Sequence, residues 1–505
     1  MKRIILLTIL LSIILFINLF LSNKLKYEKS IYRTLITDTN TIIIDFAKQT
    51  ATGSPLVFGG AHAPNLEHQD AWDLLADAGV TMIRRDFWIE NEVPRNITLA
   101  DYKANKNNVQ DPDTWNKTVI NETNSIYQNA KDRGMKVMAI LSYAPAWLTH
   151  SGTNVGVPKD WGVYEDIVKK SYRLHRPYLD MIEIWNEPDL VDFLNIKNSG
   201  LSKNEAYLKI FTIASQAIRE VDTEMNDGKI IPIIAPAVSE PLDTALLEYL
   251  FKSNVSNYLH GVSIHSYNKT EPSWSKYLTV LKKYGKGNLP IYVSEWNKTA
   301  EYIINNNYVS SDIAVPYTGN KLIQFLKGGI AGANYFSTTF FDPESPSKYT
   351  NSFGFYRQTD NKSELLPQGK TWQLLSRTLS LGSGESRIFD TKQPKGVEAI
   401  GFTNSKFERG LAIVNETTVR KTVKVSLRNI KISKNTKAKL FIASGSGDPG
   451  TPFCTQDASS NLSDPSFFVD LQPQSVTGII FTEIKPTFKS LFQRDDSVGD
   501  CLVGF

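Results

Sequence analysis

Only two of the 505 residues are cysteine, too few for a metal cluster or a disulfide scaffold. The six histidines show no His-x-His or His-Glu-x-x-His spacing, so no catalytic metal is expected. No Gly-x-Gly-x-x-Gly turn follows the first strand and no phosphate-binding glycine loop occurs, so no nucleotide cofactor is expected either. Neither sign of charge prevails: 56 basic residues stand against 52 acidic ones, with no basic block beyond the N-terminus. That balance excludes a polyanion-binding surface, and with it nucleic acid as a partner. What is present is core material. Apolar residues make up 41% and charged residues 21%, a globular composition, and the length suits two or three domains. Aromatic residues reach 11%, with nine tryptophans, which suits a surface that stacks on flat ligands.

The N-terminus sets the compartment. Met1-Lys2-Arg3 precedes nineteen uncharged residues, Ile4 to Ser22. A helix of that length, at about 1.5 Å per residue, nearly spans the roughly 30 Å of bilayer hydrocarbon. Leu21-Ser22-Asn23-Lys24 is a poor cleavage site, so residues 1–26 read as a signal-anchor or a signal peptide. Both send the remainder to the extracellular or periplasmic face, with membrane contact through this helix if it is uncleaved. Cys454 and Cys501 would then meet an oxidising compartment and are expected to form a disulfide, pinning the tail 486–505. The sequence leaves the oligomeric state open.

Between residues 56 and 385 short apolar runs alternate with amphipathic helices. The expected strands are Leu56–Gly59, Thr81–Arg84, Lys136–Leu141, Met181–Trp185, Ile230–Ala235, Val262–His265, Ile291–Ser294 and Ala333–Phe336. They are continuous and rich in Val and Ile, as parallel strands covered on both faces should be. Eight of them with helical crossovers predict an α/β fold, a (β/α)8 TIM barrel. Residues 386–485 change character: runs such as Thr422-Val423-Lys424-Val425-Ser426-Leu427 alternate, and no helix intervenes. A small β-sandwich is expected there. Residues 27–55 read as a linker whose strand, Thr41–Phe46, joins that sandwich.

Barrel active sites collect where strands end at their C-termini. Two carboxylates stand out there. Glu187 follows the fourth strand in Trp185-Asn186-Glu187-Pro188, and Glu295 ends the seventh in Ser294-Glu295-Trp296. A barrel brings those ends face to face, and glycoside hydrolysis needs such a pair.

These two motifs resemble the retaining glycoside hydrolases of clan A. Ile83-Arg84-Arg85-Asp86-Phe87-Trp88 with Glu92, Leu141-Ser142-Tyr143-Ala144-Pro145-Ala146-Trp147, and His265-Ser266-Tyr267 are similar to family 39 and its endo-acting relatives. Gln474-Ser475-Val476-Thr477-Gly478 is similar to the closing strand of their accessory sandwich. The chain departs from the family at Arg85 and at Tyr335-Phe336-Ser337-Thr338, which lacks the usual tryptophan. The resemblance implies a retaining hydrolase of β-glycosidic bonds in an oligo- or polysaccharide, with Glu187 as acid/base and Glu295 as nucleophile. It implies substrate contacts from Asn186, Arg84, His62, Trp147, His265, Tyr267 and Trp296, with Arg84 and Tyr267 also touching Glu295. Glu187 is expected to be protonated at rest. A catalytically silent carbohydrate-binding barrel is the alternative, and the intact glutamate motifs argue against it.

Overall fold

The computed structural model describes residues 40–240, 242–268, 274–299, 302–303, 313–340, 353–359, 362–380, 384–430, 436–444, 454–457 and 466–483. The apolar N-terminal segment and Cys501 lie outside the described residues, and with them the expected anchor and disulfide. Among the described residues no helix is long and apolar enough to cross a membrane.

Strand β1 (Thr41–Gly53) precedes a closed parallel barrel. The staves are β2 (Gly59–Ala61), β3 (Met82–Trp88), β4 (Lys136–Ser142), β5 (Met181–Ile184), β6 (Ile233–Val238), β7 (Leu259–Tyr267), β8 (Ile291–Asn297) and β9 (Gly332–Phe336). Each expected strand is present, with shifted ends. The first differs most. Leu56–Phe58 lies in a 3-10 turn, because Pro55 occupies its first position and the Ser54 hydroxyl accepts from the Leu56 N–H.

The helices between staves begin and end on readable signals. Ser202 and Glu205 form a reciprocal capping box ahead of the helix Lys203–Met225, whose Tyr207, Phe211, Ala214, Ile218 and Val221 are buried. The helix Gln69–Asp77 stops at Gly79, where φ is +82° and a Cβ would stand 1.8 Å from the Ser376 Oγ. Only glycine fits that turn.

The barrel interior is layered. Met82, Met138, Met181 and Ile234 form an apolar floor. Two residues further along β3 and β5, on the same faces, stand Arg84 and Glu183, both buried. An arginine and a glutamate can occupy that depth because they neutralise each other. Arg84 Nε donates to Glu183 Oε2 at 2.7 Å.

A hairpin, β10 (Tyr356–Thr359) and β11 (Lys362–Leu365), follows the barrel, then eight strands of the accessory region. These are β12 (Ser386–Lys392), β13 (Val397–Thr403), β14 (Arg409–Asn415), β15 (Lys421–Arg428), β16 (Thr436–Ser444), β17 (Cys454–Asp457), β18 (Ser466–Leu471) and β19 (Ser475–Glu483). With β1 they make one nine-stranded sheet in the order β17-β16-β19-β14-β13-β12-β1-β15-β18. β1 runs antiparallel to β12 and parallel to β15. The sheet folds over so that β18 meets β19, six places away. Ile42, Ile44, Leu411, Ile413, Val423, Val425 and Leu471 share the enclosed core, which has the two layers of a sandwich.

Candidate active site

The barrel's C-terminal mouth is organised around Arg84. From the inward face of β3 its Nη1 donates to Glu295 Oε1 at 2.6 Å and its Nη2 to Asn186 Oδ1 at 2.8 Å, while Nε holds Glu183. One buried guanidinium thereby fixes the ends of β5 and β8. The other oxygen of Glu295 accepts from the Tyr267 hydroxyl at 2.6 Å. His265 Nδ1 sits 2.7 Å from Glu187 Oε1 and 3.5 Å from Glu295 Oε2. One ligand atom each of Glu187, His265 and Glu295 lies within 4.8 Å of the other two.

The backbone places these groups by departing from regular strand. The β7–β8 register shifts between Ile264 and His265, which sets His265 opposite Glu295. Trp185 and Glu187 both take left-handed φ, 69° and 44°. Such strain persists only where neighbours impose it. Here the Trp185 N–H donates to Leu141 O, its indole to Phe193 O at 2.7 Å, and the Glu187 N–H to Ala237 O.

The two carboxylates differ in electrostatics. Burial favours the neutral form of Glu295, yet His265, Arg84 and the Tyr267 hydroxyl outweigh it and hold its carboxyl below the usual range. Among the described residues Glu187 has the imidazole as its partner and no guanidinium. For His265, burial opposes the cation, and the charges of Glu295 and Glu187 prevail and raise its pKa. Burial, reinforced by the Arg85 charge, pushes His62 down to about 4, so its ring is neutral near pH 7. Tyr267 is raised far above the ordinary phenol, by burial and then by Glu295, and stays a hydrogen-bond donor. Glu187, His265 and Glu295 are also donors that could hold a cation. Arg84 already places a fixed positive charge 2.6 Å from Glu295, so the donor set suits a mobile proton better than a metal ion.

The structure brings together Glu187, Glu295, Asn186, Arg84, His265 and Tyr267. His62 stands on the β2 turn with its N–H on Arg84 O at 2.9 Å, its ring edge-on to Phe336 and Nδ1 2.9 Å from Arg85 Nη1. Arg85, one of the departures from the family, thus has a partner in His62.

Trp296 corrects the expectation of a substrate contact. It is fully buried on the outer face of β8, stacked on Trp372 at 4° and packed on Phe325 and Tyr335. Alternation explains it: if Glu295 faces the barrel axis, Trp296 faces the helices. Trp147 is half-buried, stacked on Tyr102 at 5.4 Å with its indole N–H on Pro94 O. Tyr102 therefore occupies one face of that ring.

Three contributors were not among the expected site residues. Glu183 is the third arm of the Arg84 cluster, Asp86 accepts from Ser142 Oγ at 2.6 Å, and Tyr143 lies against Asn186. The signal for Asp86 was in the period of two, since it shares its strand face with Arg84, and the signal for Glu183 was a lone charge inside an apolar barrel strand, which needs a partner.

Residues 153–308, which carry both glutamates, match the model for glycosyl hydrolases family 39. No protein of curated function matches the sequence. Similar solved structures include the family 30 subfamily 8 xylanase Xyn30A from Clostridium acetobutylicum, with 15% identity and a TM-score of 0.59 over 88% of this chain and 99% of that one. A family 30 endoxylanase from Clostridium papyrosolvens C71 shares 13% identity with a TM-score of 0.59, over 87% and 99%. A family 39 β-xylosidase from Caulobacter crescentus shares 16% with a TM-score of 0.56, over 87% and 99%. At these identities the structures speak for the barrel alone. Over residues 153–308 the chain is similar to family 39, and in fold it is similar to clan A glycoside hydrolases.

Proposed function

We propose that this enzyme cleaves β-glycosidic bonds of an extracellular oligo- or polysaccharide by double displacement, with Glu295 as nucleophile and Glu187 as acid/base. The observation that carries the assignment is the unequal surroundings of the two carboxylates. Both oxygens of Glu295 are held, one by a guanidinium and one by a phenol, so it stays ionised. Glu187 has the His265 imidazole as its partner among the described residues, and to it we assign the acid/base role. Their spacing supports retention. Oxygens within 4.8 Å fit the ~5–5.5 Å of retaining sites, whereas inversion needs about 6.5–9.5 Å to admit a water.

In the first step a Glu295 oxygen bonds to the anomeric carbon while the glycosidic C–O bond breaks and Glu187 protonates the departing oxygen. Arg84 then loses one partner but keeps Glu183, so no bare charge is left in the barrel. The Glu187 carboxylate so formed lies 2.7 Å from His265 Nδ1, where a ring N–H would stabilise it. In the second step Glu187 takes a proton from water, whose oxygen bonds the anomeric carbon and returns the electron pair to Glu295. The Asn186 amide, its oxygen turned to Arg84, is oriented for a sugar hydroxyl next to the reacting carbon. We assign the activity to the extracellular or periplasmic face on the strength of the apolar segment Ile4–Ser22.

Incubation with aryl β-glycosides, with and without EDTA, followed by proton NMR tests this reading. The first-formed sugar should be the β-anomer, at a rate insensitive to chelator. An α-anomer would refute the retaining assignment, and no cleavage across a broad sugar panel would leave a binding protein only.

A further inference from the structure

Eight of the nine tryptophans are buried or half-buried, and Trp88 alone is exposed, at 42%. It ends β3 on the face that carries Arg84 and Asp86. Arg84 reaches Glu295, and Asp86 bonds Ser142 on the neighbouring stave. Phe87, between Asp86 and Trp88, points outward and packs on His175 at 4.8 Å. Alternation therefore puts the indole on the same side of the strand as Arg84 and Asp86, at the end of the stave that opens on the barrel mouth. An exposed aromatic of this size leaves apolar surface in water, a cost that a ligand face would recover.

Its mounting is rigid. Trp88 caps the one-turn helix Ile89–Glu92, and the last residue of that turn is fully buried. Glu92 Oε1 sits 2.8 Å from His175 Nε2, its second oxygen accepts from Ser171 Oγ, and His175 Nδ1 lies 2.7 Å from Asn124 Oδ1. Glu92 O also accepts from the Asn116 N–H at 2.8 Å. A buried acid, imidazole and hydroxyl thus fix a turn whose outer end carries the exposed ring. None of these groups touches the reacting pair, and sequence resemblance singled out Glu92 without giving it a duty. Beyond the turn a cleft of about 440 Å³ opens, lined by Asn91, Arg95 and Asn116 together with the apolar Val93, Pro94 and Trp115.

We infer that Trp88 is a sugar-stacking platform for a unit flanking the cleaved bond, so that the enzyme takes chains of sugars in preference to single glycosides. This rests on the glycosidase reading and deepens it. A platform held before substrate arrives loses little freedom on binding, which is why the buried Glu92 anchor matters. It also offers an aromatic contact in a site whose last stave ends in Phe336, edge-on to His62 and Tyr267.

The test compares kcat/KM on an aryl β-monoglycoside with that on the longest aryl β-oligosaccharide of the same sugar that the wild-type enzyme cleaves. The wild-type ratio of long to short substrate should exceed one. Trp88→Ala should lower that ratio about tenfold, as loss of one stacking contact predicts, and Trp88→Phe should restore most of it. A general loss of structure would lower both rates in proportion and leave the ratio unmoved. An enzyme that cleaves neither substrate fails the glycosidase reading. One that cleaves the monoglycoside but gains nothing from added sugars, or whose gain survives Trp88→Ala, overturns the platform.

Discussion

Removing one oxygen atom, in Tyr267→Phe, tests how Glu295, the proposed nucleophile, is kept ionised. The Tyr267 hydroxyl donates to Glu295 Oε2 at 2.6 Å, and Arg84 holds the other oxygen. A hydrogen bond to a charged group contributes about 1.5–3 kcal/mol, so its loss should reduce kcat/KM on an aryl glycoside about 10- to 100-fold. Part of that loss has a direction in pH. Glu295 is held below its ordinary range because His265, Arg84 and Tyr267 together outweigh burial. Without the phenol the balance moves toward the protonated acid, and the acid limb of kcat/KM, which reports the free enzyme, should rise by at least about one pH unit. Stability should follow with the matching sign. A carboxylate whose folded pKa is depressed stabilises the fold above its unfolded value of about 4.3, and that stabilisation disappears as pH falls through the folded value. Tyr267→Phe should therefore lose stability at pH 7 and lose less at a pH where Glu295 is already protonated. The assays are a pH–rate profile and urea unfolding at both pH values. An acid limb that stays in place while kcat/KM falls would refute the claim that Tyr267 acts on the ionisation of Glu295.

Glu295→Gln should abolish turnover on every substrate, whereas Glu187→Ala should still form the glycosyl-enzyme from substrates with good leaving groups. Azide should then rescue Glu187→Ala, giving a β-glycosyl azide by mass spectrometry and NMR; rescue of the Glu295 variant instead would reverse the two roles. His265→Phe should move the basic limb of kcat/KM, because a histidine with a raised pKa gives its favourable charge below the unfolded value and loses it as pH rises through the folded one. A basic limb that does not move would detach His265 from the proton on Glu187. Trp296→Ala should cost about 3–5 kcal/mol in urea unfolding, as deletion of a fully buried ring does, without changing product length or anomer. Alkylation mass spectrometry of the unreduced protein should find Cys454 and Cys501 unlabelled, and two labelled thiols would rule the bond out.

The staves were legible because a parallel strand covered on both faces has to be apolar along its length, and runs such as Val137–Leu141 have no other reading once helices flank them. The ends of the staves were not. Leu56–Phe58 is as apolar as a strand, and only Pro55 and the Ser54 cap, which act on the backbone and leave the apolar pattern intact, make it a turn. β12 is hard to read because Ser386-Arg387-Ile388-Phe389-Asp390-Thr391-Lys392 carries only a short apolar centre, and its place beside β1 is fixed by pairing across more than 300 residues.

The site shows the same division. Residue types at strand ends named the two glutamates, because a carboxylate straight after a buried strand needs a reason to be there. Which side chain shares the axis with them is a question of phase, and phase is reset wherever the backbone leaves the strand. On β8 the register shifts after Val293 against both neighbouring strands, and beyond that irregularity adjacent residues alternate, so Glu295 inside requires Trp296 outside, and the expected sugar contact at Trp296 conflicts with the assignment of Glu295 beside it. On β5 the phase breaks at Trp185, whose left-handed φ turns the chain so that Asn186 and Glu187 both reach the mouth within two residues. No pattern of apolar and polar residues encodes that turn. It is imposed from outside the strand, by Leu141, Phe193 and Ala237, and it allows an amide and an acid to stand side by side where a regular strand would present only one of them.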